Sequence, residues 1–338
     1  MPVVSLRTGS QTPLPNMLKN RKRLLLIIQI VIAIVPIAWI FHKIDFGEMI
    51  EVLRNTPWWT LPALTTVAFF SLILQGIRWY VLMSGSDSGL RFSTAMYAHL
   101  TGAFYSLVLP SNLSQDVVRT VMVSRKHGYS KSWGATWIAK LINLATSVLF
   151  SLFGFFILDL TSIRSTLPAI AISISLLLIL FIISFSKRIT KKFRSVFMKI
   201  LPQRLLRILE NIREEIYLFK DKKINLLWCT GLTFLTHILL ILNAIILISV
   251  VTGRICIAES FAFIPIIELL ALAFAFTPNG FGIREMLAYA MFAYIGFTNE
   301  QLAGYIILGY VSVLIKLAGG IPLLIKKLPV KLKSSPAG

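Results

Sequence analysis

Residues 224–250 read INLLWCTGLTFLTHILLILNAIILISV, a run of 27 positions without a single Lys, Arg, Asp or Glu. An α-helix rises about 1.5 Å per residue, so about 20 apolar residues cross the roughly 30 Å hydrocarbon core of a bilayer. The run exceeds that length and carries no charge, which marks it as a membrane-crossing helix. Outward from it, stretches 24–41, 58–83, 133–158, 166–186 and 301–325 are also apolar and long enough to cross. The first follows a basic segment, but its apolar run is too long for a signal peptide and no small-residue cleavage site follows, so it reads as a retained span. Three more stretches, 93–110, 260–277 and 286–297, are short or broken by polar turns.

The composition agrees with this reading. Only 14% of residues are charged and 56% are hydrophobic, with a mean hydropathy of +0.78; soluble domains carry about 25% charge. So few charges cannot cover a globule of 338 residues with solvated side chains. The net charge of +20 calls for a polyanionic neighbour. The basic residues sit in loops between apolar stretches, so that neighbour is the anionic membrane surface, and nucleic acid is not an expected partner. Cys229 and Cys256 lie near the ends of apolar segments, with no CxxC or Cys/His cluster. No metal and no cofactor is therefore expected. His42, His99, His127 and His237 are scattered and read as polar tips near an interface.

Lysines and arginines concentrate on the cytoplasmic side of membrane proteins. Segment 1–23 holds five basic residues and no acid, loop 187–223 holds twelve basic against four acidic, and the tail after 325 holds four lysines. The opposite loops hold only Lys43, Arg54, Arg164 and Arg254 against six acids. With Arg91 and the basic residues of 111–132 placed inside, the split is 26 to 4. Both termini are expected in the cytoplasm and the protein in an inner (cytoplasmic) membrane.

Parity then constrains the short stretches. Segments 24–41 and 58–83 return the chain inside, and 133–158 must start there, so 93–110 cannot be a simple span. It must enter and return, breaking at Pro110-Ser111 before Asp116-Val117-Val118-Arg119. Irregular backbone survives at membrane depth only inside protein or beside a wet cavity. The second half has a counterpart: 260–277 breaks at Thr277-Pro278-Asn279-Gly280-Phe281-Gly282-Ile283-Arg284-Glu285, and 286–297 climbs back. Span, broken hairpin, span thus occurs twice, with the hairpins opening from opposite sides. Opposed repeats with interrupted helices are a transporter's signature, with the site between the halves; two unrelated surface loops are the plain alternative.

The expected fold is all-α and integral to the membrane, with about six full transmembrane helices plus two broken, re-entrant helical hairpins arranged as inverted repeats. Its parts are a cytoplasmic basic segment 1–23, one membrane domain 24–325 with halves at about 58–158 and 224–325, and a basic tail 326–338. Within loop 187–223, the stretch 201–219 has the pattern of a basic amphipathic helix lying on the cytoplasmic face.

Six charges fall inside apolar segments: Arg78, Lys140, Glu268, Arg284, Glu285 and Lys316. Intramembrane charges are costly and mark function by default. Arg78, beside Trp79, is also explained by snorkelling to the headgroups. Lys140 and Asn143 share one helical face. Glu268 and Lys316 are either a structural ion pair or part of a substrate path. Arg119 and Arg284 each follow a break and fall in the first turn of a new helix, where free amides and the dipole favour phosphate and a guanidinium adds a bidentate fork. Asn279, Gly280 and Gly282 let backbone approach a ligand closely. Asp116 and Glu285 are either ligand contacts or compensation of helix N-terminal charge. No nucleophile–base pair, Walker loop or carboxylate dyad stands out, so catalysis is not expected.

The motifs Arg78-Trp79, Pro110-Ser111 with Asp116-Val117-Val118-Arg119, and Pro278-Asn279-Gly280-Phe281-Gly282-Ile283-Arg284-Glu285 together resemble the membrane domain of the lysylphosphatidylglycerol synthase/flippase family, over about residues 20–325. The Gly-x-Gly-x-Arg-Glu ending is the most specific part. Two positions depart from the family pattern: Ser114-Gln115 stands where Gly-Gly precedes the aspartate, and Ala139, Lys140 and Asn143 stand where the third span carries Glu-Arg and a later Asp. Headgroup contacts would differ there. The resemblance implies a stand-alone flippase-like protein that moves an anionic or modified lipid. With 13 residues after the last span, it implies no aminoacyl-transfer domain. Expected partners are membrane lipids, either an anionic phospholipid or a lipid-linked substrate, and a second copy of the chain in a homodimer. A membrane enzyme of lipid or lipid-linked glycan synthesis, or a scaffold for one, is the competing reading.

Overall fold

The computed structural model describes residues 46–158 except Asp87, Pro110 and Asn112, residues 203–273 and 277–321, and His42 with a few positions between 171 and 179. The expected spans 24–41 and 166–186, the tail 326–338 and the loop 187–202 lie essentially outside the described residues.

Among the described residues all regular structure is helical. The helices are α1 (Phe46–Arg54), α2 (Thr60–Gly85), α3 (Phe92–Ser106), α4 (Ser114–His127), α5 (Tyr129–Ile157), α6 (Gln203–Leu218), α7 (Lys223–Thr252), α8 (Ile257–Ala273), α9 (Ile283–Tyr294) and α10 (Asn299–Leu314). A 3-10 helix, Ile315–Gly320, continues α10. Four of these are long and apolar enough to cross a membrane: α2, α5, α7, and α10 with its 3-10 extension. The chemistry of their ends is local. Helix α7 stops at Gly253, whose left-handed φ of 68° glycine adopts without strain. Helix α10 starts with Thr298 and Gln301 capping each other reciprocally.

Side-chain contacts fix the direction of each long helix. Asn225 at the start of α7 donates to the Val81 carbonyl near the end of α2 (2.8 Å), and Asn243 donates to the Leu64 carbonyl near its start (3.3 Å). Helices α2 and α7 are therefore antiparallel. Ser312 of α10 donates to Asn243 (3.1 Å), while Gly304 faces Val251, so α10 runs against α7. Arg78 of α2 bridges Asn143 and Thr233, and Ser147 meets His237 one turn on, so α5 runs with α7. Each half thus pairs two opposed long helices, and the halves point in opposite senses. The expected inversion is present.

Between its long helices each half inserts a hairpin. In the first, Gly102 of α3 lies on the Gln115 carbonyl of α4, and His127 bonds the Ser88 carbonyl (2.9 Å) at the open end. Helices α3 and α4, of 15 and 14 residues, are about 22 Å long and fall short of the roughly 30 Å core. The chain returns to the end it left, as parity requires. In the second hairpin α8 and α9 pack through Phe263 and Phe292, edge to face at 5.7 Å.

Each hairpin leans on the closing helix of the other half: α8 lies along α5, and α3 lies against the 3-10 end of α10. A glycine sits at both crossings. At Gly154 an added Cβ would overlap the Phe261–Ala262 backbone, and at Gly319 it would overlap the Leu100 carbonyl.

Helix α6 packs on protein along part of its apolar side. Its Ile216, followed by Phe219, is buried in a cluster with Trp79, Leu82 and Ile138, and Ile212 packs against that cluster. Glu215 meets Gly134 of α5. Protein covers Ile212, Ile216 and Phe219.

Candidate functional site

A cavity of about 280 Å³ opens where the two hairpins meet the four long helices. Five basic side chains line it (Arg78, Arg119, Lys140, Arg284 and Lys316) against two carboxylates, Asp116 and Glu268, so its wall is positive by three charges. Asn143, Gln115 and Asn279 add neutral polar groups. Contributions come from both halves.

The first half supplies a tight network. Asp116 accepts from Arg119 at 2.7 Å and from Lys140 of α5 at 3.0 Å. Arg119 is only 3% exposed; it donates to His99 Nδ1 (3.1 Å) and lies 4.9 Å above the Trp79 ring. His99 Nε2 in turn donates to the Leu72 carbonyl (3.0 Å), so both ring nitrogens are used and the tautomer is set. Trp79 donates to Thr136, which is bonded to Thr120 of α4. Arg78 donates to Asn143 at 2.9 Å and reaches Thr233 at 3.4 Å.

The second half is built differently. Arg284 pairs with Glu268 at 2.8 Å. Lys316 donates to Asn279 Oδ1 at 2.6 Å. Asn279 holds a left-handed backbone (φ 49°) inside the Pro278–Gly280 turn, which aims its amide at α10. The Gly282 amide donates to Glu285 Oε2 at 2.6 Å, and Tyr310 bonds the same carboxylate.

Several expectations change on these distances. Arg78 does not snorkel: it is buried at 7% exposure and held by α5 and α7. Helix α4 begins at Ser114, which puts Arg119 in its second turn and Asp116 in the first. Glu268 pairs with Arg284, and Lys316 goes to Asn279, so Glu268 and Lys316 are not partners. Gly280, Gly282 and Glu285 do not line the cationic cavity. Gly280 instead cradles the Arg284 side chain, since a Cβ there would stand 3.0 Å from its Nε. Glu285 occupies the Gly282 amide, so it compensates the start of α9. Arg119, Arg284, Asp116, Asn279, Lys140 and Arg78 do converge on the one cavity.

The expectation of interfacial tips fails for His99 and His237, which are both buried. His237 donates to the Thr233 carbonyl and accepts from Ser147. The local signal for His99 was its company: Ala95, Ala98, Gly102 and Ala103 make a small-residue stripe on which another helix closes. Pro110 and Asn112 of the first break fall outside the described residues.

The family model described as the lysylphosphatidylglycerol synthase TM region matches residues 26–317. The chain belongs to this family. That membership, with four membrane-length apolar helices, makes it a multi-pass membrane protein whose function concerns membrane lipids. No curated protein and no solved structure was found to match the chain. Within the lysylphosphatidylglycerol synthase TM family, this chain carries the aspartate and both motif arginines on one cavity wall.

Proposed function

We propose that this family member is a flippase-like transporter that moves an anionic or modified phospholipid across the cytoplasmic membrane, with both chain ends in the cytoplasm. The observation that carries the reading is the cavity between two inverted halves, with five cations against two carboxylates. A low-dielectric wall positive by three charges lacks counter-charge, and a phosphate diester supplies it. Arg119 and Lys140 come from the first half and Arg284 and Lys316 from the second, so a headgroup bound among them touches both. Rocking of the halves would then expose it to either face.

The test is translocation of fluorescent phosphatidylglycerol in proteoliposomes, read by bleaching with a membrane-impermeant reductant. The expected result is protein-dependent bleaching of inner-leaflet lipid that falls at least tenfold in Lys140→Ala with Lys316→Ala. Translocation at the rate of protein-free vesicles would refute the reading.

A further inference from the structure

A second cavity of about 170 Å³ lies wholly within the second half, between α7, α8, α9 and α10. It shares Glu268, Asn279 and Arg284 with the cationic cavity, so the Arg284–Glu268 pair forms a wall common to both. Beyond that wall the surface turns apolar: Leu247, Ile264, Ile267, Ala288 and Ile306 line it. Of the polar groups on its wall, Glu285 is engaged with the Gly282 amide and Tyr310, and Asn243 with Ser312. An apolar chamber joined to a cationic one, with bonded polar groups at the junction, has the amphiphilic order of a phospholipid.

We propose that this second cavity is an acyl-chain site: it takes the upper part of one fatty-acyl chain of the lipid whose phosphate occupies the cationic cavity. The proposal rests on the headgroup reading above. Because lipid tails are as apolar as Leu, leaving the bilayer for the pocket adds little hydrophobic driving force. What the pocket contributes is shape. It fixes where the chain enters and so orients the phosphodiester against Arg284.

Gly309 makes the site testable. It lines the pocket, and a Cβ built on it meets only Leu247 Cδ1, at 3.9 Å. A larger side chain at this position therefore fills the chamber without striking backbone. The experiment uses the full chain in proteoliposomes with two photoreactive phosphatidylglycerols, one carrying a diazirine in the middle of an acyl chain and the other on the headgroup glycerol. Cross-linked peptides are mapped by mass spectrometry. The acyl probe is expected to label peptides spanning 281–288 and 305–313, and Gly309→Leu to cut that labelling at least about fivefold. Gly309→Ala should give an intermediate loss, and it carries the test if the leucine variant does not fold. Labelling at the exposed Phe156 and Leu227 should be unchanged in both.

If the acyl probe labels only exposed positions such as Phe156, or if both Gly309 variants are labelled like wild type, the acyl site is wrong. If the headgroup probe still labels Gln115, Arg119 or Lys140, the headgroup reading survives that loss. If the headgroup probe also misses the cationic cavity, the headgroup reading itself fails.

Discussion

Asp116 of α4 and Lys140 of α5 are joined at 3.0 Å across the first half, and the other oxygen of Asp116 holds Arg119 at 2.7 Å. One carboxylate therefore bridges two cations from different helices and ties the re-entrant hairpin to a spanning helix. Removing it strands the buried Arg119. Breaking a fully buried pair costs about 3–5 kcal/mol; Asp116 and Lys140 are 21% and 27% exposed to the cavity, so the loss is smaller. We expect Asp116→Asn to cost about 2–3 kcal/mol and to lower the melting temperature in detergent. Lys140→Ala should cost less, because Asp116 keeps Arg119. Equal melting temperatures for the two variants would contradict this division.

Arg284 and Glu268 pose the complementary case. Their side chains are 26% and 28% exposed, and each lines both cavities. Arg284→Ala should abolish lipid translocation and also lower stability, since Glu268 loses its cation. Adding Glu268→Gln should restore stability without restoring translocation. Arg284→Lys keeps the charge and loses the planar fork, so partial translocation with near-normal stability is expected. Wild-type translocation by Arg284→Ala would remove this residue from the lipid path. Melting curves and bleaching rates on the same preparations decide it.

The two glycine crossings should respond alike. Gly154→Ala and Gly319→Ala each place a methyl on the backbone of a hairpin from the other half. Overpacking of this kind costs about 1–3 kcal/mol. Gly231 of α7 is the control, because a Cβ there meets nothing within 4 Å. Gly231→Ala should be neutral or raise stability by up to about 1 kcal/mol through helix propensity. If all three substitutions shift the melting temperature equally, close approach at the crossings is not what those glycines provide.

Topology can be read by labelling. Cys229 and Cys256 are free and buried, and each can be replaced to leave a silent background. Helix α7 runs from Lys223 to Thr252, so Lys220 and Arg254 lie at opposite ends of the bundle. The antiparallel fold of α3 and α4 puts Lys126 at the end of Lys220, and the course of α10 puts Glu300 with Arg254. Single cysteines at Lys126 and Lys220 should react with an impermeant maleimide from the cytoplasmic side alone, and those at Arg254 and Glu300 from the other side alone. A mixed pattern would overturn the orientation drawn from the charge split.

Much of this architecture is legible in sequence because lipid imposes it. A run such as 224–250 has only one low-energy conformation in hydrocarbon, a helix that satisfies its own backbone, and the lysine and arginine bias adds direction. Parity alone required 93–110 to turn back, and it does so between the end of α3 at Ser106 and the start of α4 at Ser114, with Gly102 packed on Gln115. Arg284 is visible for a similar reason, since a charge in an apolar stretch is costly enough to be conspicuous, whereas Arg119 stands out by its place just after a proline-led break. Partners were not visible. Whether Glu268 meets Lys316 or Arg284 depends on how α8, α9 and α10 rotate about their axes, and that is set by contacts such as Phe263 on Phe292.

By itself the sequence determined the solvent, the four spans at 58–83, 133–158, 224–250 and 301–325, their opposed senses and the two interrupted hairpins, all consequences of local hydropathy and charge along one chain. Tertiary structure alone decided that Asp116 serves both Arg119 and Lys140 and that Asn279 takes Lys316. It also decided that Gly154 and Gly319 lock each hairpin to the other half. The Asp116–Lys140 and Asn279–Lys316 pairings and the two glycine crossings join residues distant in sequence, and they arise only once packing fixes the rotation and depth of every helix.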